Sequence, residues 1–175
     1  MNEIEVKILE INTAEIRQKL KKIGAKKIFE GEIHAKSFDY PDGRLKKEGI
    51  YLRVRKIGDK VELCCKEKME SDSFKKRNET DIEVGNFENM ISLLEKLGLK
   101  QTFEYKKHRE SHKLNNTRFE IDDYPGIPTY LEIEAQTEEE VEKAVKLLGY
   151  TMKQTTSDSM NKVIEKYKVG RRAQE

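Results

Sequence analysis

The stretch "EIEVK", residues 3–7, alternates two acids and a lysine with two aliphatic residues. A β-strand places successive side chains on opposite faces, so Ile4 and Val6 predict a buried face. Glu3, Glu5 and Lys7 then share the other face, where neighbours on the same side lie roughly 7 Å apart. On an isolated strand this ionic face would simply meet water. The rest of the chain offers a second interpretation.

The layout that begins at Glu3 recurs twice, as "DIEVGNFENMISLLEKLGL" from Asp81 and "EIEAQTEEEVEKAVKLLGY" from Glu132. Each copy opens with an acid-apolar-acid-apolar strand, continues into an amphipathic helix and stops at a glycine. The expected N-caps are polar residues before each apolar stripe, namely Asn12 or Thr13, Asn86 and Thr137. Strands and helices together predict an α+β fold.

Four more alternating segments predict further strands: "YLRVRK" (51–56), "KVELCCK" (60–66), "FEYKKHRES" (103–111) and "TRFEIDDY" (117–124). The short turns between them favour an antiparallel sheet, with helices covering only its apolar side. The ionic faces then either meet water across an open sheet or turn inward in a closed barrel around a charged lumen. The pattern alone leaves both alternatives open.

The chain has 175 residues, with 35 Lys and Arg against 33 Asp and Glu. We expect one domain over residues 1–169 and a frayed tail at residues 170–175. The near balance of charge argues against bulk nucleic acid or an anionic membrane as the main partner. No apolar run reaches the roughly 20 residues of a membrane helix. Cys64 and Cys65 point to opposite strand faces, which indicates reduced thiols and a cytoplasmic protein.

The ionic faces carry charges of both signs, and each sign suits a different ligand. Arg and Lys together suit a phosphate chain, whereas clustered Glu without convergent His suits a hard cation such as Mg²⁺ or Mn²⁺. Enclosing so many charges costs several kcal/mol each unless ligands compensate them. A closed lumen would therefore indicate phosphoryl transfer or P–O–P cleavage, and a solvated sheet is the alternative.

The same residues resemble a known family. "EIEVK" resembles the ExExK signature of the CYTH superfamily, the triphosphate tunnel metalloenzymes, which include class IV (CyaB-type) adenylate cyclases, thiamine triphosphatases and inorganic tripolyphosphatases. Further family-like stretches follow in order up to about residue 150: "FDYPDGRLKKEGIYLRVRK", "CCKEK", "RNETDIEV", "KKHRE" and "FEIDDYPGIPTYLEIEA". The resemblance implies a closed eight-stranded antiparallel barrel, open as a tunnel, with helices packed on the outside.

The resemblance also implies roles for individual residues. The implied ligands of Mg²⁺ or Mn²⁺ are carboxylates: Glu3, Glu5, Glu132 and Glu134. The implied triphosphate-binding residues are cationic: Lys7, Arg53, Arg55, Lys66, Lys107 and Arg109. The implied catalytic set combines both kinds: Glu3, Glu5, Lys7, Arg53, Lys66, Asp122 and Glu134. Asp122 is a second acidic position among the cations, and Glu79 and Asp81 are further candidates.

The expected function is metal-dependent cleavage of a P–O–P bond in ATP, thiamine triphosphate or tripolyphosphate. One alternative is a class IV adenylate cyclase that forms cyclic AMP and pyrophosphate, and another is a non-catalytic binder of polyphosphate or RNA. A homodimer is suggested by family analogy alone. The stretch "KQTTSDSMNKVIEKY" lacks the family's Ser-Tyr motif, and the 67–77 loop is either a solvated hairpin or a lid.

Overall fold

The computed structural model describes residues 2–69 and 75–172. Its strands are β1 Asn2–Ile8, β2 Lys26–Asp39, β3 Ile50–Ile57, β4 Lys60–Lys68, β5 Lys75–Glu83, β6 Lys100–Leu114, β7 Thr117–Asp123 and β8 Tyr130–Ala135. Its helices are α1 Thr13–Lys22, α2 Arg44–Lys47, α3 Phe87–Lys96, α4 Glu138–Leu147 and α5 Met160–Arg172, with a 3₁₀ turn at Met152–Gln154. Part of the 67–77 loop, residues 70–74, and the end of the predicted tail, residues 173–175, lie outside the described residues.

The strands form a closed antiparallel barrel in the order β1-β5-β4-β3-β2-β6-β7-β8. This confirms the predicted α+β fold with eight strands, and the open-sheet alternative is wrong. The described chain forms two compact units. The first unit contains residues 31–69 and 76–107, and the second unit contains residues 3–30 and 108–172.

In the first unit, β2, β3, β4 and β5 pair in sequence, each antiparallel to the next. Their apolar side packs against α3, and this core consists of Phe38, Val54, Val61, Phe87, Ile91, Leu94 and Leu99. Helix α3 begins as predicted, because the Asn86 side chain accepts a 2.8 Å hydrogen bond from the Asn89 amide. It ends before Gly98, whose φ of 91° is a left-handed conformation that glycine adopts without strain.

In the second unit, β6, β7, β8 and β1 pair in that order, again antiparallel. Helices α1 and α4 cover their apolar side, and the core includes Ile4, Val6, Ile16, Leu20, Phe119, Leu131, Ile133, Val141 and Val145. Asn12 caps α1 and Thr137 caps α4, as predicted, and Thr137 also forms a capping box with Glu140. The alternation in "EIEVK" therefore assigns the buried apolar face correctly.

Strand β2 was not predicted from the sequence. Its 14 residues, "KKIFEGEIHAKSFD", carry charges throughout, and its first half is largely exposed. A turn follows directly after it at residues 40–43, "YPDG", with the Gly43 amide donating to the Tyr40 carbonyl at 2.8 Å. A strand whose two faces are both partly polar lacks the clean alternation that identifies the other strands.

The C-terminal segment reaches back to β1. The amides of Lys7 and Thr156 each donate to the other residue's carbonyl, both at 2.8 Å. In α5, the Tyr167 hydroxyl donates to a Glu10 carboxylate oxygen at 2.8 Å, and burial together with Glu10 raises the pKa of Tyr167 to about 12. Within the described part of the chain, no helix has the length and apolarity to span a membrane.

A buried ionic contact fixes α1 to β6 in the second unit. Arg17 donates to Glu110 from Nε at 2.8 Å, and His112 Nε2 lies 2.7 Å from the other Glu110 oxygen. Burial raises the pKa of Glu110, but the bonds from Arg17 and His112 outweigh it and hold that pKa below its usual value. This carboxylate is thus stabilised in its charged form although it is only 4% exposed.

Replacing Arg17 with Met should lower the free energy of unfolding by about 1 kcal/mol at neutral pH, since half of the Arg17 side chain is exposed. The folded pKa of Glu110 lies below its ordinary 4.5, so its stabilisation is present above that pH and is lost as pH falls through the folded pKa. Urea unfolding at a series of pH values from neutral to about pH 3 should therefore show the free energies of unfolding of wild type and Arg17→Met converging as the pH falls. Lys22→Met, an exposed change in the same helix, is the control. A difference for Arg17→Met that stays constant with pH would contradict this assignment.

Candidate active site

Strand register in the second unit brings ionic side chains into direct opposition. Lys7 is opposite Glu132 and Glu5 is opposite Glu134 across β1 and β8. The next strands continue the row, because β7 sets Glu120 opposite Glu132. All of these residues lie on the strand face away from the apolar core, as the alternation predicts. We call this cluster, with the Arg109–Asp122 pair of β6 and β7, the second-unit group.

Lys7 is at the centre of the second-unit group. Its Nζ lies 2.6 Å from a Glu5 oxygen and 3.1 Å from a Glu132 oxygen. Its side chain is 2% exposed. Burial opposes the charge of Lys7, but Glu132 and Glu5 outweigh that effect and hold its pKa above the ordinary value. Two carboxylates therefore bind one buried ammonium.

Arg109 has three carboxylate partners. Asp122 accepts from its Nε and from one terminal nitrogen, both at 2.6 Å. The same terminal nitrogen lies 3.3 Å from Glu132, and Glu120 pairs with the other one. Asp122 is fully buried, so its carboxylate is paired with Arg109 and shielded from solvent. Glu132 links the two halves of the second-unit group, because it contacts both Lys7 and Arg109.

A second cluster lies in the first unit, on β3, β4 and β5. Lys66 Nζ lies 3.0 Å from a Glu79 oxygen, and the other Glu79 oxygen lies 3.7 Å from Arg53. The Cys64 thiol donates to Glu79 at 2.9 Å and lies 3.6 Å from Arg53 NH2. Burial raises the pKa of the Cys64 thiol, an effect that Arg53 opposes and Glu79 reinforces. We call this cluster the first-unit group.

Both terminal nitrogens of the Arg53 guanidinium have partners, whereas its Nε has none among the described residues. Its NH1 donates to the Tyr105 hydroxyl at 3.2 Å, and NH2 contacts Cys64 and Glu79. Its Nε is buried, and it has no hydrogen-bond acceptor among the residues that the structure describes. A buried, unsatisfied donor on a fixed cation suits an anionic ligand such as a phosphate oxygen.

The structure thus separates the predicted site residues into two sets. Glu3, Glu5, Lys7, Arg109, Asp122, Glu132 and Glu134 lie in the second unit. Arg53, Arg55, Lys66 and Lys107 lie in the first unit, with the candidates Glu79 and Asp81. Arg55 pairs with Glu62 at 2.8 Å, and the Lys107 Nζ lies 5.9 Å from the centre of the Tyr105 ring.

Several members of these groups were missed from the sequence. Glu120 pairs with Arg109, Cys64 contacts Arg53, and Tyr105 holds the Arg53 guanidinium. Alternation placed all three on the ionic faces, so the signal was present. Their partners depend on strand register, which alternation does not give.

Among the residues that the structure describes, two sets of side chains could hold a metal ion. Cys64, Glu79 and Asp81 have donor atoms within 4.8 Å of one another. Glu5 and Glu132 form the other candidate set. The Lys7 ammonium lies between these two carboxylates, which shows that both can contact one cation at the same position. A hard divalent ion prefers such carboxylate oxygens, whereas the thiol would favour a softer one.

The comparisons with known proteins agree with this architecture. The model of the CYTH domain family matches residues 1–163. A Methanocaldococcus jannaschii protein named provisionally as an adenylate cyclase is 29% identical over 137 residues, 77% of each chain. A solved Pyrococcus horikoshii protein is 28% identical, with a TM-score of 0.76 over 90% of this chain and 96% of that one. A solved Hippeastrum protein, described as having a dominant triphosphatase activity, shares the fold at 18% identity, with a TM-score of 0.66 over 94% of this chain and 95% of its own.

Replacing Asp122 with Asn should destabilise the protein by about 2 kcal/mol, because Arg109 would keep its burial but lose its bidentate charged partner. Glu120 and Glu132 remain, which limits the loss. The exposed neighbour Asp123→Asn is the matched control and should change stability by less than about 0.5 kcal/mol. Urea unfolding of both variants measures the difference, and equal effects would show that Asp122 does not support Arg109.

Proposed function

Because this chain belongs to the CYTH domain family, we propose that it is a metal-dependent enzyme that cleaves a P–O–P bond in a triphosphate. The observation that carries the proposal is the buried ammonium of Lys7 between Glu5 and Glu132. It marks a place where two carboxylates can bind a cation close to the buried guanidinium of Arg109. Carboxylates beside a fixed cationic fork are what a metal–phosphate complex requires.

The cost of this arrangement supports a functional role. Lys7, Arg109 and their carboxylate partners are almost completely buried, and burying a charge costs several kcal/mol even when it is paired. Well-packed apolar residues of similar size often give equal or greater stability. We therefore attribute the second-unit group to ligand binding, with stability as a secondary effect.

Each group has its own task in the proposed reaction. In the second unit, Glu5 and Glu132 would hold Mg²⁺ or Mn²⁺, with Glu3 and Glu134 as further carboxylates of the same strands. A bound divalent ion supplies neutralisation of phosphate charge and a polarised water. Lys7 and Arg109 would bind phosphate oxygens and stabilise the charge that develops on them, and Asp122 keeps the Arg109 fork in position.

In the first unit, Arg53 and Lys66 are the best-placed phosphate ligands. Both are buried, and the Arg53 Nε donor lacks an acceptor among the described residues. Arg55 and Lys107 are less buried and would contribute electrostatically. The sequence resemblance implies that cations of both units bind one triphosphate, and this stays a prediction. The cytoplasmic location and the homodimer also stay predictions.

Replacing Glu5 with Gln should reduce orthophosphate release from inorganic tripolyphosphate by on the order of 100-fold, because one metal-binding charge is lost. The measurement is orthophosphate release with Mg²⁺ or Mn²⁺ in a substrate panel that includes ATP and thiamine triphosphate. Glu15→Gln, an exposed acid on α1, is the control and should leave activity unchanged.

Wild-type turnover by a folded Glu5→Gln variant would contradict the metal-dependent reaction. Tight tripolyphosphate binding that needs no metal and yields no product would instead favour the non-catalytic binder. That binder would also show a strong dependence of affinity on salt.

A second candidate reaction is cyclisation of ATP, because the M. jannaschii relative carries the name of an adenylate cyclase. In that reaction the ribose 3′-hydroxyl attacks the α-phosphorus, and cyclic AMP and pyrophosphate form. The same cations and carboxylates could serve either reaction. Incubation with ATP followed by separation of cyclic AMP, pyrophosphate and orthophosphate decides between them, and we expect orthophosphate as the main product. Cyclic AMP as the main product would make the hydrolase assignment wrong.

A further inference from the structure

We infer that Lys7 is a built-in competitor for the metal position: its ammonium holds Glu5 and Glu132 until a divalent cation binds there, and then bonds a phosphate oxygen. This inference rests on the proposed function in one respect, namely that Glu5 and Glu132 are the metal ligands. It assigns Lys7 two successive sets of partners instead of a fixed phosphate-binding role.

The geometry of Lys7 makes the competition direct. One nitrogen lies 2.6 Å from Glu5 and 3.1 Å from Glu132, so it lies in the space that both carboxylates can reach. A magnesium ion bonds oxygen at about 2.1 Å, and the same two oxygens could approach it by small side-chain movements. The ammonium and the metal ion cannot share this position, because both need it and both are positively charged.

The burial of Lys7 determines which partner its ammonium can take after a metal ion displaces it from Glu5 and Glu132. With 2% of its side chain exposed, the displaced ammonium cannot simply move into solvent. An unpaired buried charge is costly, so Lys7 requires another anion once its carboxylates are taken. A phosphate oxygen of the metal-bound substrate satisfies that need. Metal without phosphate therefore leaves Lys7 unsatisfied, which weakens metal binding to the free protein.

Glu132 extends the exchange to Arg109. This carboxylate lies 3.3 Å from an Arg109 nitrogen as well as 3.1 Å from Lys7. When Glu132 turns to a metal ion, Arg109 also loses one of its carboxylate contacts. One binding event would thus make two cations available to phosphate.

The carboxylates of the same residues indicate the order in which metal and phosphate bind. Glu5 and Glu132 contact Lys7, and Glu120, Asp122 and Glu132 contact Arg109. Carboxylates at the metal position repel a phosphate chain and attract a divalent cation. Phosphate binding would therefore follow or accompany metal binding.

The test compares Mn²⁺ binding to wild type and Lys7→Met by titration calorimetry without any phosphate present. We expect the dissociation constant for Mn²⁺ to fall by at least about tenfold in Lys7→Met, because the competitor is gone. In the same variant the KM for tripolyphosphate should rise, since phosphate loses a ligand. The two constants move in opposite directions, which a merely structural lysine would not produce.

Two controls define the site and the effect of charge. Lys19→Met removes a lysine of α1 that pairs with the exposed Glu15, and it should change the Mn²⁺ dissociation constant by less than about twofold. The Mn²⁺ binding that changes in Lys7→Met must be the binding that Glu5→Gln abolishes. This criterion distinguishes it from binding at Cys64, Glu79 and Asp81. Lys7→Gln keeps a neutral donor for both carboxylates and gives the same comparison if Lys7→Met does not fold.

Each outcome has a distinct meaning. Tighter Mn²⁺ binding with weaker tripolyphosphate binding supports the exchange. An unchanged or weaker Mn²⁺ affinity in a folded Lys7 variant would overturn it, while leaving the proposed enzyme intact. Absence of any Glu5-dependent Mn²⁺ binding in wild type would instead contradict the metal site of the proposed function, and the exchange would fall with it.

Discussion

The Glu132 carboxylate binds two buried cations, and the arrangement of the second unit depends on it. Lys7 of β1 and Arg109 of β6 both contact it, although β1 and β6 do not pair with each other. Buried charges persist only when opposite charges satisfy them, so β7 and β8 must keep the register that aligns these residues. The apolar residues on the other side of the same strands pack against α1 and α4. The strands are therefore constrained on both faces, by packing on one and by charge on the other.

Local periodicity is the reason that much of the fold can be predicted from the sequence. "EIEVK" shows which side chains of β1 share a face, and the caps Asn86 and Thr137 show where α3 and α4 begin. Strand β2 could not be predicted, because charged residues occupy both of its faces. Pairing across strands is a long-range property, so the partnership of Glu120 with Arg109 is visible only once β6 and β7 are aligned.

In the site, too, the local sequence pattern gives the strand face of each residue but not its partners on other strands. The alternation places the acidic and basic residues of both groups on ionic strand faces, but it does not give the partners of Asp122. Sequence resemblance places it in the catalytic set, and the structure shows a fully buried carboxylate whose oxygens both engage Arg109. Alternation places Cys64 on the ionic face of β4, but its proximity to Glu79 follows from the pairing of β4 with β5. Residue type indicates chemistry, and register decides which residues carry it out together.

The second unit pairs β1 with segments that lie far downstream of it in the sequence, and this has a consequence for synthesis on the ribosome. Strand β1 is translated before its pairing partner β8, which ends at Ala135, and before Thr156, the backbone partner of Lys7. The strand that carries Glu5 and Lys7 therefore emerges from the ribosome well before these two partners. Its polar side chains keep that segment hydrated and discourage premature association with other nascent chains. The contact between Lys7 and Glu132 can therefore form only after β8 has been synthesised.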